Sequence, residues 1–366
     1  IFARSDRHER MRATPEAIVV SAPDVVDSHD RSEVARLISL HNLASRSLPE
    51  PVVNFVFQGS ILGKGGGVTR LKTMLKAFKK AGYYTTLTDR TAPWDYLESI
   101  EEYRSFRRYC DDHMMVPQHY KRQILSEAAA WSKTVKPAST EVAKLSKTLK
   151  RVQKQGVGNK ADAGGLESRV DYQFNLIAAA LVHRHRPDVL VSLFAWSSEL
   201  HDYLPSGTFG MIDTIDVQSN RYLAFKSAQT RFGKDAVPDL SKFDVSVAAE
   251  RSFLSRAQAC IAISQDEKLA LNDMIGAQRT VLASVARQDA EFVGSPPDSL
   301  SVLFVGNIYE PNNHGIRAFV EDVWPDVLAK VPDARLKIVG SCGDVVKALE
   351  SDAVNVLGVV EDLDEI

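Results

Sequence analysis

The chain has 366 residues, 44% of them hydrophobic and 25% charged, and its formal net charge is −2 because 45 Lys and Arg are set against 47 Asp and Glu. At roughly 100–200 residues per domain, this length predicts two or three domains. The balanced charge excludes a globally basic nucleic-acid-binding protein and an acidic disordered chain. No apolar run approaches the roughly 18 residues of a membrane span, and the three cysteines suit no disulfide framework. We therefore expect a protein of the reducing cytoplasm.

The first 50 residues are polar and irregular, apart from a helix-like stretch at about 30–47. They contain no apolar core of the kind found in signal peptides. We interpret residues 1–50 as a leader or linker, with the remnant of an upstream domain as the alternative. Because the sequence does not begin with Met, we expect a processed chain or a piece of a longer one.

A βαβ unit follows. An apolar run at 51–58 predicts a strand, the apolar spacing at 68–80 predicts a helix, and 83–88 predicts the next strand, so the sheet should be parallel. Between strand and helix, Gly65, Gly66 and Gly67 can present bare backbone N–H groups to an anion. The spacing fits neither a P-loop nor G-x-G-x-x-G. We therefore keep two interpretations of these glycines: a loop that binds phosphate or sugar, and a tight turn.

Residues 93–165 are predicted to form a helical insertion. Within it, residues 133–160 carry eight Lys or Arg against one acid, Glu141. Apolar residues at helical spacing between 142 and 152 form a stripe beneath a basic face, which consists of Lys147, Lys150, Arg151 and Lys154. One interpretation is a surface helix packed on its own domain. The other is a helix that contacts an anionic membrane surface or an anionic acceptor.

Strand and helix patterns alternate again in the next stretch of the chain. Helices are predicted at 166–186, at 248–255 and, after a capping box at 264–267, to about 274; strands are predicted at 187–194, 208–213, 259–263 and 280–286.

Polar groups follow one of these strands. Asp213, Asp216 and Arg221 cluster just past it, which suits hydrogen bonding to sugar hydroxyls or to a cationic group. An Asp helix cap with a solvated Arg is the equally weighted alternative.

The histidines give little evidence of a site. His183 and His185 lie at a predicted helix C-terminus, where they complement the dipole, and His201 is the better site candidate. Because the motifs of zinc and serine hydrolases are missing, we expect no metal site.

A linker at 294–300 precedes a second βαβ pattern, with strands at 301–305 and 334–339, a helix at 315–330, and a third strand at 354–357. Ligands of such domains bind outside the carboxyl ends of the strands, so the loop 306–314, with Gly306 and Asn307, is a candidate site.

The second pattern resembles the start of the second domain of the group 1 (GT4-type) glycosyltransferases. The first domain agrees in its glycine loop, in 212–217 with Arg221, and in Glu250 ahead of 259–267. The resemblance covers about residues 51–366. The matching phrases are LFVGN (303–307), PNN (311–313), VWP (323–325), VPDAR (331–335), KIVG (337–340) and VLGVVED (356–362).

This resemblance implies a GT-B fold, in which two Rossmann-like parallel-sheet domains face each other across a cleft. It implies sugar transfer from a nucleotide-sugar donor with retention of configuration, without a cofactor or bound metal. Residues 51–293 would bind the acceptor and residues 301–366 the nucleotide sugar. The glycines at 65–67 would close over the donor diphosphate or the acceptor.

The sequence also departs from the family pattern. Asn307 and Asn312 or Asn313 stand where many relatives have an Arg and a Lys that bind the diphosphate, and Gln258 replaces a common acid. The paired glutamates of the family would lie beyond Asp362, so we expect an incomplete second domain and a chain that is inactive alone. No catalytic residue can be assigned.

The expected role is polysaccharide or glycolipid assembly at the cytoplasmic face of a membrane, with peripheral contact through the basic face. The partners would be a nucleotide sugar and a glycan or lipid-linked acceptor, and no nucleic acid. Two alternatives stay open: a GT-B-fold sugar-nucleotide epimerase and a non-catalytic sugar- or partner-binding module.

Overall fold

The computed structural model describes residues 50–63, 65–92, 95, 100–134, 140–155, 165–233, 239–284 and 300–360. The predicted helix at 30–47 lies outside these residues, as does nearly all of the linker predicted at 294–300. The described residues form two compact units.

The first unit contains a parallel sheet whose strand order is β3-β2-β1-β4-β5-β6-β7. Most of its strand residues are buried, because helices cover both faces. The order of the first six strands is that of a Rossmann fold. The strands are β1 (Val52–Val56), β2 (Tyr84–Asp89), β3 (Asp112–Met115), β4 (Val189–Leu193), β5 (Phe209–Asp213), β6 (Ala259–Ala262) and β7 (Thr280–Leu282).

Eight described helices accompany this sheet in the chain: α1 (Gly66–Lys80), α2 (Ile100–Arg107), α3 (Lys121–Thr134), α4 (Thr140–Gln155), α5 (Tyr172–His185), α6 (Gln218–Phe232), α7 (Val247–Leu254) and α8 (Gln265–Ile275). Helices α1 and α2 pack with one set of buried strand residues, and α3, α4 and α5 pack with another. Three residues of the apolar stripe of α4, Leu145, Leu149 and Val152, lie in the second of these cores. With Val142, they are at most 7% exposed. These residues therefore pack on their own unit, as one of the two sequence interpretations proposed.

Strand β3 is a correction to the sequence analysis. The predicted helical insertion at 93–165 contains this four-residue strand, which pairs with β2 from Thr86↔Asp112 to Asp89↔Met115. Half of its residues, Asp112 and His113, are polar, so no apolar run marked it as a strand. Its conformation follows from pairing with β2, since all four of its residues are buried.

A second correction concerns the helix predicted at 166–186. Helix α5 begins only at Tyr172, because the Asp171 side chain accepts a hydrogen bond from the Phe174 backbone N–H at 3.1 Å and caps the helix. Leu166 lies in a turn before the helix, yet it is only 2% exposed. Its apolar character therefore reflects burial in the core rather than helical periodicity.

The second unit contains a parallel three-stranded sheet in the order β10-β9-β8. Its strands are β8 (Ser301–Val305), β9 (Arg335–Val339) and β10 (Val354–Gly358). The predicted fold class, with Rossmann-like parallel sheets in two separate units as in GT-B proteins, is thereby confirmed.

The helix of this unit starts earlier than predicted. It begins at Glu310 with Pro311 in the first turn, so α9 (Glu310–Ala318) shortens the predicted loop 306–314 to residues 306–309. A π turn over Phe319–Val323 joins α9 to α10 (Trp324–Lys330). Pro325 explains the π turn, because proline cannot donate the usual hydrogen bond to the carbonyl four residues earlier.

The boundary between the units also differs from the predicted first domain, which was continuous over 51–293. The first unit runs to Ser219 and resumes at Asp244, and the residues Asn220–Phe243 belong to the second unit. The reason lies in side-chain contacts: Phe232 stacks on His314 with ring centroids 5.9 Å apart, and Arg231 pairs with Asp322.

Candidate functional site

The first sheet changes direction between β1 and β4, since β2 and β3 extend it on one side and β5 to β7 on the other. In open α/β sheets, ligands bind in the crevice outside the carboxyl ends of the strands at such a switch point. Phe57 follows β1 and Phe194 follows β4, and their rings stack with centroids 6.4 Å apart. The glycine loop therefore begins beside the position where this fold places its ligands.

The glycine loop ends at the N-terminus of α1. Gly65 is the N-cap residue with φ 141°, no side chain caps the helix, and its first turn contains no acid. Gly65 and Gly66 are exposed. The helix thus presents the positive end of its dipole without an acidic residue in its first turn, which suits a phosphate or another anionic group.

Two non-glycine residues with left-handed backbone lie beside this loop. Phe194 has φ 69° and Ile215 has φ 59°. A Cβ atom at Gly67 would lie 3.5 Å from Phe194 Cζ and 3.6 Å from Ile215 Cδ1. Such conformations cost about 1–3 kcal/mol each and concentrate at functional sites. Sequence reasoning missed both residues, since their only signal is their position one residue after β4 and two residues after β5.

Aromatic stacking holds Phe194 in place. Its ring stacks on Trp196 with centroids 4.2 Å apart and an interplanar angle of 11°, and the Arg169 guanidinium lies 5.4 Å from the Trp196 ring centroid. With Phe57, these residues form a continuous stack, the aromatic wall, at the switch point.

Asp213 forms a buried ion pair. Arg70 Nε donates to Asp213 Oδ2 at 2.5 Å, and the two side chains are 2% and 0% exposed. Burial raises the pKa of Asp213, and Arg70 opposes this shift. Arg70 Nη1 also donates to the Ala283 carbonyl at 2.7 Å. The pair joins α1 to the carboxyl ends of β5 and the strand at the sheet edge, β7. Asp213 therefore positions the glycine loop, and sequence reasoning missed its partner.

Two further carboxylates hold the turn that contains Asp216. Glu267 Oε1 accepts from Val217 N at 2.9 Å, and Glu250 accepts from Gln218 N at 2.7 Å and Ser219 N at 2.8 Å. Burial raises the pKa of both glutamates. The Ser264 hydroxyl caps α8 as predicted, but the Glu267 side chain bonds Ile263 N and Val217 N, outside the predicted capping box. Asp216 itself is half-buried.

Arg221 lies on α6 in the second unit, whereas Asp213 and Asp216 belong to the first unit. Its guanidinium carbon lies over three aromatic rings, 5.2 Å from the Phe225 centroid, 5.6 Å from that of Phe243 and 5.1 Å from that of Tyr309. Arg221 is therefore half-buried and enclosed by rings, which differs from the solvated Arg of the alternative interpretation.

Gly306 and Asn307 lie at the carboxyl end of β8. Gly306 N donates to the Val339 carbonyl at 2.9 Å, and Cys342 N donates to the Gly306 carbonyl at 3.2 Å. A Cβ atom at Gly340 would lie 2.1 Å from that carbonyl, so the two loops are in direct backbone contact. Asn307 is exposed, and its carbonyl accepts from Asn312 Nδ2 at 3.1 Å.

His201, the histidine predicted as the better site candidate, is buried. Its Nε2 shares a hydrogen bond with Ser192 Oγ at 2.8 Å. Burial, followed by the nearby Arg256, lowers the pKa of His201 to about 3, so its ring is neutral at physiological pH. It therefore acts as a core residue. Among the described residues, no group of three or more His, Cys, Asp or Glu side chains could hold a metal ion.

The basic face of α4 is exposed at Lys147, Lys150 and Arg151; the Lys154 side chain lies outside the described residues. Because the apolar stripe beneath it is buried, this face offers charge without an apolar surface for insertion. None of the described helices has the length and apolar composition required to cross a membrane.

Comparisons with known proteins find structural similarity at low sequence identity. Solved structures similar to this chain include the lipopolysaccharide outer core galactosyltransferase WaaB in its apo form (11% identity, 84% of this chain and 68% of that chain, TM-score 0.41). Others are TarM (9%, 87% and 78%, 0.47) and the sucrose-phosphate synthase from Thermosynechococcus elongatus (13%, 84% and 71%, 0.44). A search of curated protein sequences gives no match.

The family match lies in the C-terminal segment. Residues 299–366 match the family model described as Glycosyl transferases group 1. The resemblance to group 1 glycosyltransferases is therefore confirmed for this segment, which includes Gly306 and Asn307.

Proposed function

We propose that the protein transfers a sugar from a nucleotide-sugar donor to a polysaccharide or lipid-linked acceptor, with retention of configuration. The observation that supports this most directly is the match of residues 299–366 to group 1 glycosyltransferases. The matched segment includes the loop after β8, at the edge where parallel α/β sheets bind their ligands. The donor therefore binds the second unit at Gly306 and Asn307, and the acceptor binds the first unit.

The first unit supports this assignment through the glycine loop. The leaving group of such a transfer is a nucleoside diphosphate, whose negative charge grows in the transition state. Preorganised N–H groups stabilise developing charge, and the uncapped N-terminus of α1 offers such groups. An anionic group of the acceptor or the donor phosphate would bind there, beside the aromatic wall. No side chain is assigned as catalytic.

The basic face of α4 fits an anionic surface near the acceptor. Three exposed cations on one helix, with the helix anchored by its buried stripe, present a fixed positive patch. Such patches attract anionic lipid headgroups by about 1 kcal/mol per Lys or Arg. Peripheral contact of this kind would bring the protein to a lipid-linked acceptor at the cytoplasmic face of a membrane.

The experiment is a transfer assay with a panel of radiolabelled nucleotide sugars and glycan or lipid acceptors, using protein that contains all 366 residues. The product should carry the sugar in the anomeric configuration of the donor, as determined by NMR. Release of a free epimer without acceptor would replace this proposal by the epimerase. Failure of every nucleotide sugar to bind would replace it by the non-catalytic module.

Gly66 offers a specific test of the loop. A Cβ atom at Gly66 meets nothing within 4 Å, so Gly66→Val should fold normally while its side chain obstructs the N-terminus of α1. Removing one anion-stabilising donor typically costs 10²–10³-fold in kcat, so we expect at least a tenfold loss in kcat/KM. Gly315→Val on α9, which also has open space, is the matched control. Equal activity of both variants would exclude the loop from the site.

A further inference from the structure

A buried carboxylate holds one end of the glycine loop. Asp89 is the last residue of β2, and its Oδ2 accepts a hydrogen bond from the Ile61 N–H at 2.9 Å. Both residues are 0% exposed. Gly63, Gly65 and Gly66, which follow in the loop, are exposed. Ile61 is therefore the last buried residue before the exposed glycines, and the bond to Asp89 fixes where the exposed part begins.

The Asp89 carboxylate is itself fixed by further hydrogen bonds. Its Oδ1 accepts from Thr91 N at 3.0 Å and its Oδ2 accepts from the Thr91 hydroxyl at 2.6 Å. Oδ1 also lies 2.7 Å from His113 Nε2. An ionised carboxylate can only accept hydrogen bonds, so we assign the proton of this bond to Nε2. With both oxygens bonded in this way, the carboxylate keeps one orientation and can hold Ile61 in one place.

His113 gives a reason for the polar residues of β3. The ring is 0% exposed and packs edge-on against Phe106 of α2, with centroids 5.3 Å apart and an interplanar angle of 72°. This packing holds Nε2 towards Asp89. Two successive hydrogen bonds thus connect β3 to β2 and β2 to the glycine loop.

A second connection to the loop runs through two hydroxyl groups. Because the Thr91 hydroxyl donates to Asp89, Ser60 Oγ is the donor in its 2.8 Å bond with Thr91 Oγ1. Ser60 Oγ in turn accepts from Leu62 N at 3.2 Å. Thr91 is 0% exposed, so its hydroxyl can be removed without changing the protein surface.

We propose that Asp89 is a positioning residue for sugar transfer: it holds the glycine loop in the place where the N-terminus of α1 meets an anion, and His113 orients it. Asp89 is too deeply buried to contact a substrate and acts through Ile61. The pair Arg70–Asp213 holds α1, so two buried carboxylates fix the two ends of the loop. This inference rests on the proposed function, because it assumes that the loop stabilises the negative charge of the leaving group. That charge grows in the transition state, so a displaced loop should lower kcat more than it raises KM.

The test combines hydrogen–deuterium exchange with steady-state kinetics on the full chain. Asp89→Asn replaces an acceptor oxygen by an amide N–H₂ that would face another donor. Exchange in peptides from 58–70 should become at least tenfold faster, while exchange in β5 should change less than twofold, since the opening is local. In the transfer assay, kcat should fall at least tenfold and the KM of the nucleotide sugar should change less than twofold. Thr91→Val should lower kcat at least threefold, whereas Thr91→Ser keeps the hydroxyl and should behave as the wild type does.

Asp111→Asn is the matched control. Asp111 Oδ2 also accepts a backbone N–H of β2, that of Thr85 at 2.9 Å, but at the opposite end of the strand. This variant should keep wild-type exchange in 58–70 and wild-type kcat. If Asp89→Asn fails to fold, the two Thr91 variants provide the readout. Unchanged loop exchange or unchanged kcat in Asp89→Asn or, in its place, Thr91→Val would overturn this inference and leave the proposed function of an active wild type intact. A wild type that transfers no sugar would overturn the proposed function and, with it, the role of Asp89 in transfer.

Discussion

The buried pair Arg70–Asp213 gives the sharpest test of how the glycine loop is held. Asp213→Asn removes the negative charge and leaves Arg70, 2% exposed, as an uncompensated buried cation. Breaking a buried pair in this way costs about 3–5 kcal/mol. Arg cannot escape by losing its proton in a protein, so the full cost should appear at every pH.

The reverse substitution behaves differently. Arg70→Met leaves Asp213 buried without its cation, and a carboxylate can take up a proton. The pKa of Asp213 is already raised by burial, and loss of Arg70, which lowers it, raises it further. A group whose folded pKa lies above its unfolded value contributes most at low pH, and that contribution is lost as pH rises. The deficit of Arg70→Met should therefore shrink from pH 7 to pH 5, by at most about 1.4 kcal/mol per pH unit.

The assay is equilibrium urea unfolding of the two single variants and the double variant, from pH 5 to pH 8. The double variant should be much more stable than the sum of the single losses predicts, because it leaves no unpaired charge. Glu101→Gln is the control, since its partner Arg104 and Glu101 are 57% and 80% exposed; it should change stability by under about 1 kcal/mol. A loss below about 1 kcal/mol in Asp213→Asn would refute the reasoning.

Three further predictions address other parts of the chain. Gly340→Ala should unfold the second unit selectively, since its Cβ would lie 2.1 Å from the Gly306 carbonyl at φ 96°. Gly315→Ala, in open space on α9, should not destabilise it. Thermal unfolding followed by Trp324 fluorescence, with the other three tryptophans replaced by Phe, measures both effects. Glu250→Gln should lower the free energy of unfolding in urea by about 1–3 kcal/mol, because an amide N–H₂ would face the backbone N–H of Gln218 or Ser219. Burial raises the pKa of Glu250, so the wild type gains stability relative to this variant as pH falls and the deficit should grow. Replacing the basic face by Glu should abolish sedimentation with phosphatidylserine vesicles while neutral vesicles stay unbound, and unchanged sedimentation would contradict membrane contact.

Local patterns were sufficient to predict most of the strands. β1, β4, β6 and β8 are predominantly apolar runs, which indicate strands of a parallel sheet. β1, β4 and β6 are mostly buried, whereas β8 is largely exposed. β3 was missed because its four residues become a strand by pairing with β2, a contact between distant parts of the chain. The start of α9 was predicted at 315 rather than at Glu310, because a proline such as Pro311 usually indicates a break in a helix. Proline is nevertheless favoured in the first turn of a helix.

The candidate site was predicted less completely, for a physical reason. The glycines at 65–67 are visible in the sequence because backbone freedom depends on residue type alone. The left-handed backbone of Phe194 and the partner of Asp213 depend on tertiary packing, so no local signal exists for either. Arg221 was grouped with Asp213 by proximity in sequence, whereas its contacts with Phe243 and Tyr309 assign it to the second unit.

The helices that follow β1 and β8 differ in how well their N-termini can attract an anion. The loop after β1 leads into a helix without acid, proline or side-chain cap in its first turn, so backbone dipoles alone can attract an anion there. The loop after β8 leads into a helix whose first turn has both Glu310 and Pro311, and two of its own N–H groups are already bonded. Under the proposed function, the backbone would therefore contribute more to anion binding in the first unit than in the second. Gly66→Val should therefore weaken anion binding by obstructing the N-terminus of α1, without a change in the charge of the site.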